Sequence, residues 1–195
     1  MRTALAIILL LITPSMAFAH TGHGDTMGFM HGFEHPIGGL DHILAMLAVG
    51  VFAYVLGGRA LWLVPLSFVG MMLVGFALGL GQVDLPFVEL GIALSSVAIG
   101  AAAALNRPMP VAGAMALVGV FAIFHGHAHG AEMPADSSGL GYAAGFIIAT
   151  ALLHAAGIGA AMATAQFAGR HAKAAARFAG GLFALAGVGV LAGWL

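Results

Sequence analysis

Apolar runs of membrane-spanning length alternate with short polar breaks along most of the chain. A run of about 20 apolar residues is long enough to cross the hydrocarbon core of a bilayer as a helix. Six such runs follow one another, so the pattern predicts an all-α protein, a polytopic bundle of six transmembrane helices. The predicted spans cover residues 36–56, 61–80, 86–105, 110–129, 140–163 and 174–194.

The first 19 residues have a different pattern, which is typical of a secretory signal peptide. Arg2 precedes a short apolar stretch, and Ala17-Phe18-Ala19 fits the small-residue cleavage site. We therefore predict a cleavable signal peptide over residues 1–19, a His-rich periplasmic lead-in over residues 20–35 and a transmembrane domain over residues 36–195.

The basic residues indicate an orientation. If the mature N-terminus lies outside the cytoplasm, every Lys and Arg of the mature chain falls in or next to a break on the inner side, as the positive-inside rule requires. These residues are Arg59, Arg107, Arg170, Lys173 and Arg177. We expect a multi-pass protein of a bacterial inner membrane with both mature termini in the periplasm.

Composition excludes several classes of protein. The mean hydropathy is +1.07, and only 7% of residues are charged, whereas soluble domains average about 25%. A net charge of −1 provides no basic surface for nucleic acid. The absence of cysteine suits an oxidising compartment and leaves no thiolate for metal binding.

Histidines are concentrated where the predicted helices begin or end. Two segments carry half of them, HPIGGLDH at residues 35–42 and HGHAHGAE at residues 125–132. Ionisable groups within a membrane are expensive and usually functional, and a divalent metal ion is the ligand that suits imidazole and carboxylate best.

The second segment has the spacing of a chelate. His125 and His129 are four residues apart and share one face of a helix. Glu132 follows one turn later on nearly the same face, whereas His127 points to the opposite side. We therefore take His125, His129 and Glu132 as candidate metal ligands.

The first segment needs a break in the helix to act as one site. His35 and His42 would lie about 10.5 Å apart along an ideal helix, so a single ion reaches both only if Gly38-Gly39 interrupts it. Asp41 is either a ligand itself or a group that fixes the tautomer of His42.

Two further residues complete the candidates within the spans. Glu89, one turn into the third span, is expected at the depth of the two histidine segments and would join a site beneath the outer surface. His154 lies past the middle of the fifth span, with Thr150 one turn earlier as a hydrogen-bond partner. It is either a second ion site or a histidine that only packs.

The predicted mature N-terminus adds His20 and His23. A free α-amine beside an imidazole chelates metal, so this tip could collect ions. The alternative is a solvated tail without that role.

The two segments together resemble the HupE/UreJ family, the nickel permeases accessory to hydrogenase and urease. The matching motifs are HPxxGxDH and HGxAHGxE, which are carried here by His35, Pro36, Gly39, Asp41 and His42, and by His125, Gly126, Ala128, His129, Gly130 and Glu132. The predicted signal peptide, the His-led mature terminus and the six spans fit as well, so the resemblance covers essentially the whole chain.

The resemblance implies a secondary transporter, not an enzyme. It would carry Ni²⁺, or Co²⁺, as its substrate from the periplasm to the cytoplasm, without a resident cofactor, for hydrogenase or urease maturation. Its other partner would be the lipid bilayer, and homo-oligomer formation is left open. Two alternatives remain from the residues themselves: an integral-membrane metalloenzyme with the same ligands, and a periplasm-facing metal sensor or partner subunit.

Overall fold

The computed structural model describes residues 24–105 and 107–195 of the chain. The predicted signal peptide over residues 1–19 and the candidate ligands His20 and His23 lie outside this part.

The described chain is helical, with seven α-helices and a short 3₁₀ turn, Gly169–His171, before the last one. The helices are α1 (Gly24–Gly38), α2 (Leu40–Leu56), α3 (Ala60–Leu80), α4 (Val88–Leu105), α5 (Val111–Ala131), α6 (Gly139–Ala168) and α7 (Ala172–Leu191). The predicted all-α class is confirmed.

Length and hydropathy identify four candidate membrane spans among the described residues. They are Ala60–Leu80, Val88–Leu105, Val111–Ala131 and the combined stretch Gly139–Leu191. The bent pair of α1 and α2 makes a fifth if its two parts are counted as one span. The protein is therefore a multi-pass membrane protein.

The first predicted span is not one helix that begins at Pro36. Pro36 lies inside α1, the backbone is extended at Gly39 (φ −100°, ψ 126°), and α2 starts at the next residue. The two helices are bent by 80°. Proline removes a helical hydrogen bond and adjacent glycines resist helix formation, so this sequence favours a break here.

Much of the predicted lead-in is helical, because residues from Gly24 onward form α1. This helix packs against α6 through glycines: Gly32 abuts the backbone of Tyr142, and Gly145 abuts the backbone of Phe29 and Phe33. Close contact between backbones stabilises a segment whose glycine content alone predicts no helix.

Glycines also bring α3 and α5 together as parallel neighbours. Gly75 lies against the backbone of Ile123, and Gly126 lies against the backbone of Met72. A β-carbon at either glycine would overlap these backbone atoms. The contact fixes the height at which the C-terminal end of α5 lies in the bundle.

Helix α2 is the central helix of the described structure, since it contacts all six others. Its residues from Ala45 to Ala53 are nearly all buried. The N-terminal end of α2, just after the bend, lies among the ends of neighbouring helices. The two histidine segments meet there.

The glycine contact between α3 and α5 generates a stability prediction. Gly75→Ala should lower the free energy of unfolding by about 1–3 kcal/mol, because the added methyl group has to displace backbone rather than a flexible side chain. The midpoint of thermal unfolding in detergent micelles measures the change. The matched control is Gly70→Ala on the same helix, where the added carbon meets nothing within 4 Å; equal midpoints for the two variants would contradict the packing argument.

Candidate metal site

Four imidazoles converge where α1, α2 and α5 meet, and we call them the histidine cluster: His35, His42, His125 and His129. The bend at Gly39 folds His35 back, so that its ring centroid lies 5.5 Å from that of His42. The break on which the sequence argument depended is therefore present.

The other two rings come from the last turns of α5. His129 lies 4.6 Å from His35 and 5.6 Å from His42, measured between ring centroids. His125 lies 4.7 Å from His42. His35 and His129 are thus about 90 positions apart in the sequence but share a site, because α5 ends at the level of the bend.

Several ring nitrogens of the histidine cluster have no hydrogen-bond partner among residues 24–105 and 107–195. They are His42 Nε2, His125 Nδ1, and both nitrogens of His129, all of them buried. Buried polar atoms are normally paired, and the lone pair of a neutral imidazole is a good donor to divalent metals. The cluster has the chemistry of a metal-binding site.

Asp41 orients His42. Its Oδ1 accepts the backbone N–H of His42 at 2.8 Å and lies 3.1 Å from the Nδ1 of the same ring. A hydrogen bond from Nδ1 leaves Nε2 as the unpaired atom. Of the two roles considered for Asp41, this geometry favours the one that holds the tautomer.

Ser95, on α4, was not singled out from the sequence. Its Oγ lies 3.0 Å from His125 Nε2 and donates a hydrogen bond to the carbonyl oxygen of Ile92. The sequence signal was weak, because a buried serine in an apolar helix usually bonds only to its own helix backbone, as the neighbouring Ser96 does.

A polar cavity of about 340 Å³ lies beside the histidine cluster. Its lining includes His35 and His42 and three carboxylates, those of Asp41, Glu89 and Glu132. Glu132 Oε2 is 3.6 Å from His35 Nε2. Glu89 and Glu132 are exposed, so they lie at the opening rather than among the buried rings.

Comparison of the sequence with known proteins identifies the family. The sequence pattern described as HupE / UreJ protein matches residues 8–190 of the chain. The chain belongs to the HupE/UreJ family. A relative, Protein HupE from Rhizobium leguminosarum bv. viciae, is 47% identical over 184 residues, which cover 94% of each chain. No solved structure matches. The resemblance inferred from the two motifs is confirmed.

Aromatic rings surround the histidine cluster of this HupE/UreJ protein. The ring of Phe146 stacks on His129 at 4.6 Å with an interplanar angle of 15°. Phe68 lies between two histidines, 5.5 Å from His125 and 5.2 Å from His154. His154 is thus separated from the cluster by one phenylalanine side chain.

His154 is buried, and neither of its ring nitrogens has a hydrogen-bond partner in the part of the chain that the structure describes. The expected partner was wrong: the hydroxyl of Thr150 donates to Met72 Sδ at 3.8 Å instead. The turn spacing suggested the pairing, but α3 packs against α6 and supplies the sulfur of Met72 as the acceptor.

His127 lies apart from the other α5 histidines, as its helical position predicts. Its Nε2 is 2.7 Å from the carbonyl oxygen of Val83. It therefore connects α5 to the segment between α3 and α4.

The histidine cluster is not a finished coordination sphere. Within residues 24–105 and 107–195, no three His, Asp or Glu side chains are arranged as a complete metal site. The four rings nevertheless lie beside one another, with neighbouring centroids 4.6 to 5.6 Å apart.

The approach of α1 to α5 is testable because the HupE/UreJ chain contains no natural cysteine. In a His35→Cys/His129→Cys double variant, a short bifunctional thiol reagent should cross-link the two cysteines. The cross-linked thiols can then no longer react with a maleimide polymer. The gel shift caused by that polymer measures the free thiols. The pair His35→Cys/His127→Cys is the control and should stay fully labelled; equal protection of both pairs, or of neither, would contradict the arrangement.

Proposed function

We propose that this protein is an inner-membrane permease that takes up Ni²⁺, or Co²⁺, from the periplasm into the cytoplasm. The observation that carries this proposal is the histidine cluster, in which four imidazoles from three helices meet. Four of their buried ring nitrogens have no partner within the described residues. Imidazole ligands without any thiolate suit Ni²⁺ and Co²⁺ better than Cu⁺.

The rings of the histidine cluster lie side by side, an arrangement that suits the passage of an ion from one imidazole to the next. We infer that the ion binds transiently to His35, His42, His125 and His129 while its hydration shell is removed.

The polar cavity supports an entry route. Carboxylates at an opening raise the local concentration of cations, and Asp41, Glu89 and Glu132 line this one together with His35 and His42. The predicted tip, His20 and His23, would supply ions to the same opening.

The route inward continues past Phe68 to His154. The Phe68 ring contacts both His125 and His154, and the two nitrogens of His154 are buried without partners. We propose that movement of the phenylalanine ring admits the ion to His154, from which it continues toward the cytoplasm.

Six crossings are the number that best accounts for the candidate spans. The stretch Gly139–Leu191 has 53 residues, which as one helix would measure about 80 Å, far more than the hydrocarbon core. It is interrupted at Gly169–His171, and its two helices pack on each other. We count α6 and α7 as one span each and the bent pair of α1 and α2 as another.

The basic end of the bundle is proposed to face the cytoplasm. Arg177 Nε donates to the carbonyl oxygen of Ala104 at 2.7 Å, so the α6–α7 connection and the end of α4 lie at the same level. Arg107 follows α4 directly, and the carboxylates of Glu89 and Glu132 belong to the opposite ends of their helices. This distribution follows the positive-inside rule and supports the proposal that both mature termini lie in the periplasm after removal of residues 1–19.

The decisive test is uptake of ⁶³Ni²⁺ into proteoliposomes that contain only this protein, with Co²⁺, Zn²⁺, Cu²⁺ and Mg²⁺ as competitors. We expect saturable uptake that Co²⁺ inhibits well and Mg²⁺ does not. Absence of uptake with tightly retained stoichiometric metal would favour a metalloenzyme. Absence of both would favour a sensor or a subunit that needs a partner.

Removing one ring of the histidine cluster should abolish this uptake. We expect His42→Ala and His125→Ala each to reduce ⁶³Ni²⁺ accumulation to background at unchanged protein level, because each removes a ligand from the buried site. His171→Ala is the matched control, since His171 is exposed and contacts Arg170. Normal accumulation in both cluster variants would rule out these ligands.

The N-terminal tip should affect the capture of Ni²⁺ from solution and not its passage through the protein. Replacing His20 and His23 by alanine should raise the Ni²⁺ concentration at half-maximal uptake and leave maximal flux unchanged, because ions still reach the carboxylates at the opening. Initial uptake rates over a concentration series measure both quantities. A lower maximal flux would show that the tip belongs to the route itself.

A further inference from the structure

A neutral imidazole binds a metal ion through only one of its two nitrogens, the one that carries no proton. Which nitrogen this is depends on the group that accepts the ring N–H, and such groups strongly affect metal affinity. The ring of His125 is fully buried, so its proton is placed by the protein and not by water.

Ser95 is the group that contacts this ring. Its side chain is fully buried on α4, and its Oγ lies 3.0 Å from His125 Nε2 and 2.5 Å from the carbonyl oxygen of Ile92. A serine hydroxyl has a single proton, and a carbonyl oxygen can only accept. The short contact to Ile92 therefore uses the serine proton, and Ser95 Oγ accepts from His125.

We propose that Ser95 is a positioning residue that holds His125 in the Nε2–H tautomer and so assigns Nδ1 as the metal-binding atom. His125 Nδ1 is the buried ring nitrogen without a partner, as this assignment requires. The inference rests on the proposed function in one respect, that His125 is a ligand of the transported ion.

The neighbouring ring is set in the opposite way. Asp41 accepts from Nδ1 of His42 and leaves Nε2 unpaired. Acceptors on two different helices thus fix the tautomers of two adjacent rings before an ion arrives, which lowers the reorganisation needed on binding.

The chain contains a matched control next to Ser95. Ser96 is also fully buried on α4 and donates to the carbonyl oxygen of Ala93 at 3.0 Å, the same kind of bond that Ser95 makes with Ile92. It has no hydrogen bond to a histidine among the described residues. Ser96→Ala therefore removes a buried hydroxyl from the same helix without altering His125.

The first experiment uses metal-free protein and is independent of transport. ¹⁵N NMR of the full chain in bilayers, labelled at histidine, reports which ring nitrogen carries the proton, and His125→Asn identifies the His125 signals by their loss. We expect Nε2–H in the wild type and in Ser96→Ala, and a mixture of tautomers or Nδ1–H in Ser95→Ala. A wild-type ring protonated at Nδ1, or an unchanged tautomer in Ser95→Ala, would overturn the proposal.

The second experiment compares ⁶³Ni²⁺ uptake by the same variants in proteoliposomes. Ser95→Ala should require about tenfold more Ni²⁺ for half-maximal uptake, Ser95→Thr should restore the wild-type value through its hydroxyl, and Ser96→Ala should match the wild type. Equal losses in Ser95→Ala and Ser96→Ala, or in Ser95→Ala and Ser95→Thr, would show a packing role and overturn the proposal. If the wild type takes up no Ni²⁺, the proposed function fails, and the NMR result still decides the tautomer.

Discussion

The bend between α1 and α2 is the constraint on which the candidate site depends. A continuous helix would keep His35 and His42 about 10.5 Å apart along its axis, too far for one ion. With the backbone extended at Gly39 and the helices bent by 80°, the two rings approach to 5.5 Å. The bend also lines the polar cavity, together with these two rings and the carboxylates of Glu89 and Glu132.

The packing of the surrounding helices fixes the positions of the rings in the histidine cluster. Glycine contacts between α3 and α5 fix the height of His125 and His129, and those between α6 and α1 fix that of His35. These helices hold polar rings in a buried position where several ring nitrogens have no hydrogen-bond partner among the described residues, and unpaired polar groups are costly to bury. In the proposed function a cation supplies the missing contacts, and the hydrogen bonds of His42 with Asp41 and of His125 with Ser95 leave one nitrogen of each ring for it.

The sequence predicted the helical class, the membrane character and the family, because apolar run lengths and the two motifs are properties of consecutive residues. It also identified the histidines of the cluster as candidates, because they lie in the two motif segments. Only the shared face of His125 and His129 follows from helical spacing, whereas the approach of His35 needs the bend. It did not predict that α1 is helical, since contacts with α6 stabilise a glycine-rich segment. The partner of Thr150 and the contact of Ser95 with His125 also depend on how separate helices pack, which spacing within one helix does not show.

The most direct test of the central claim is the X-ray absorption spectrum of Ni²⁺ bound to the purified protein at substoichiometric metal. We predict a nitrogen and oxygen shell with the multiple-scattering signature of at least two imidazole rings, since the claim is that several cluster histidines bind one ion together. A spectrum of hydrated Ni²⁺ with oxygen neighbours and no imidazole signature would contradict it.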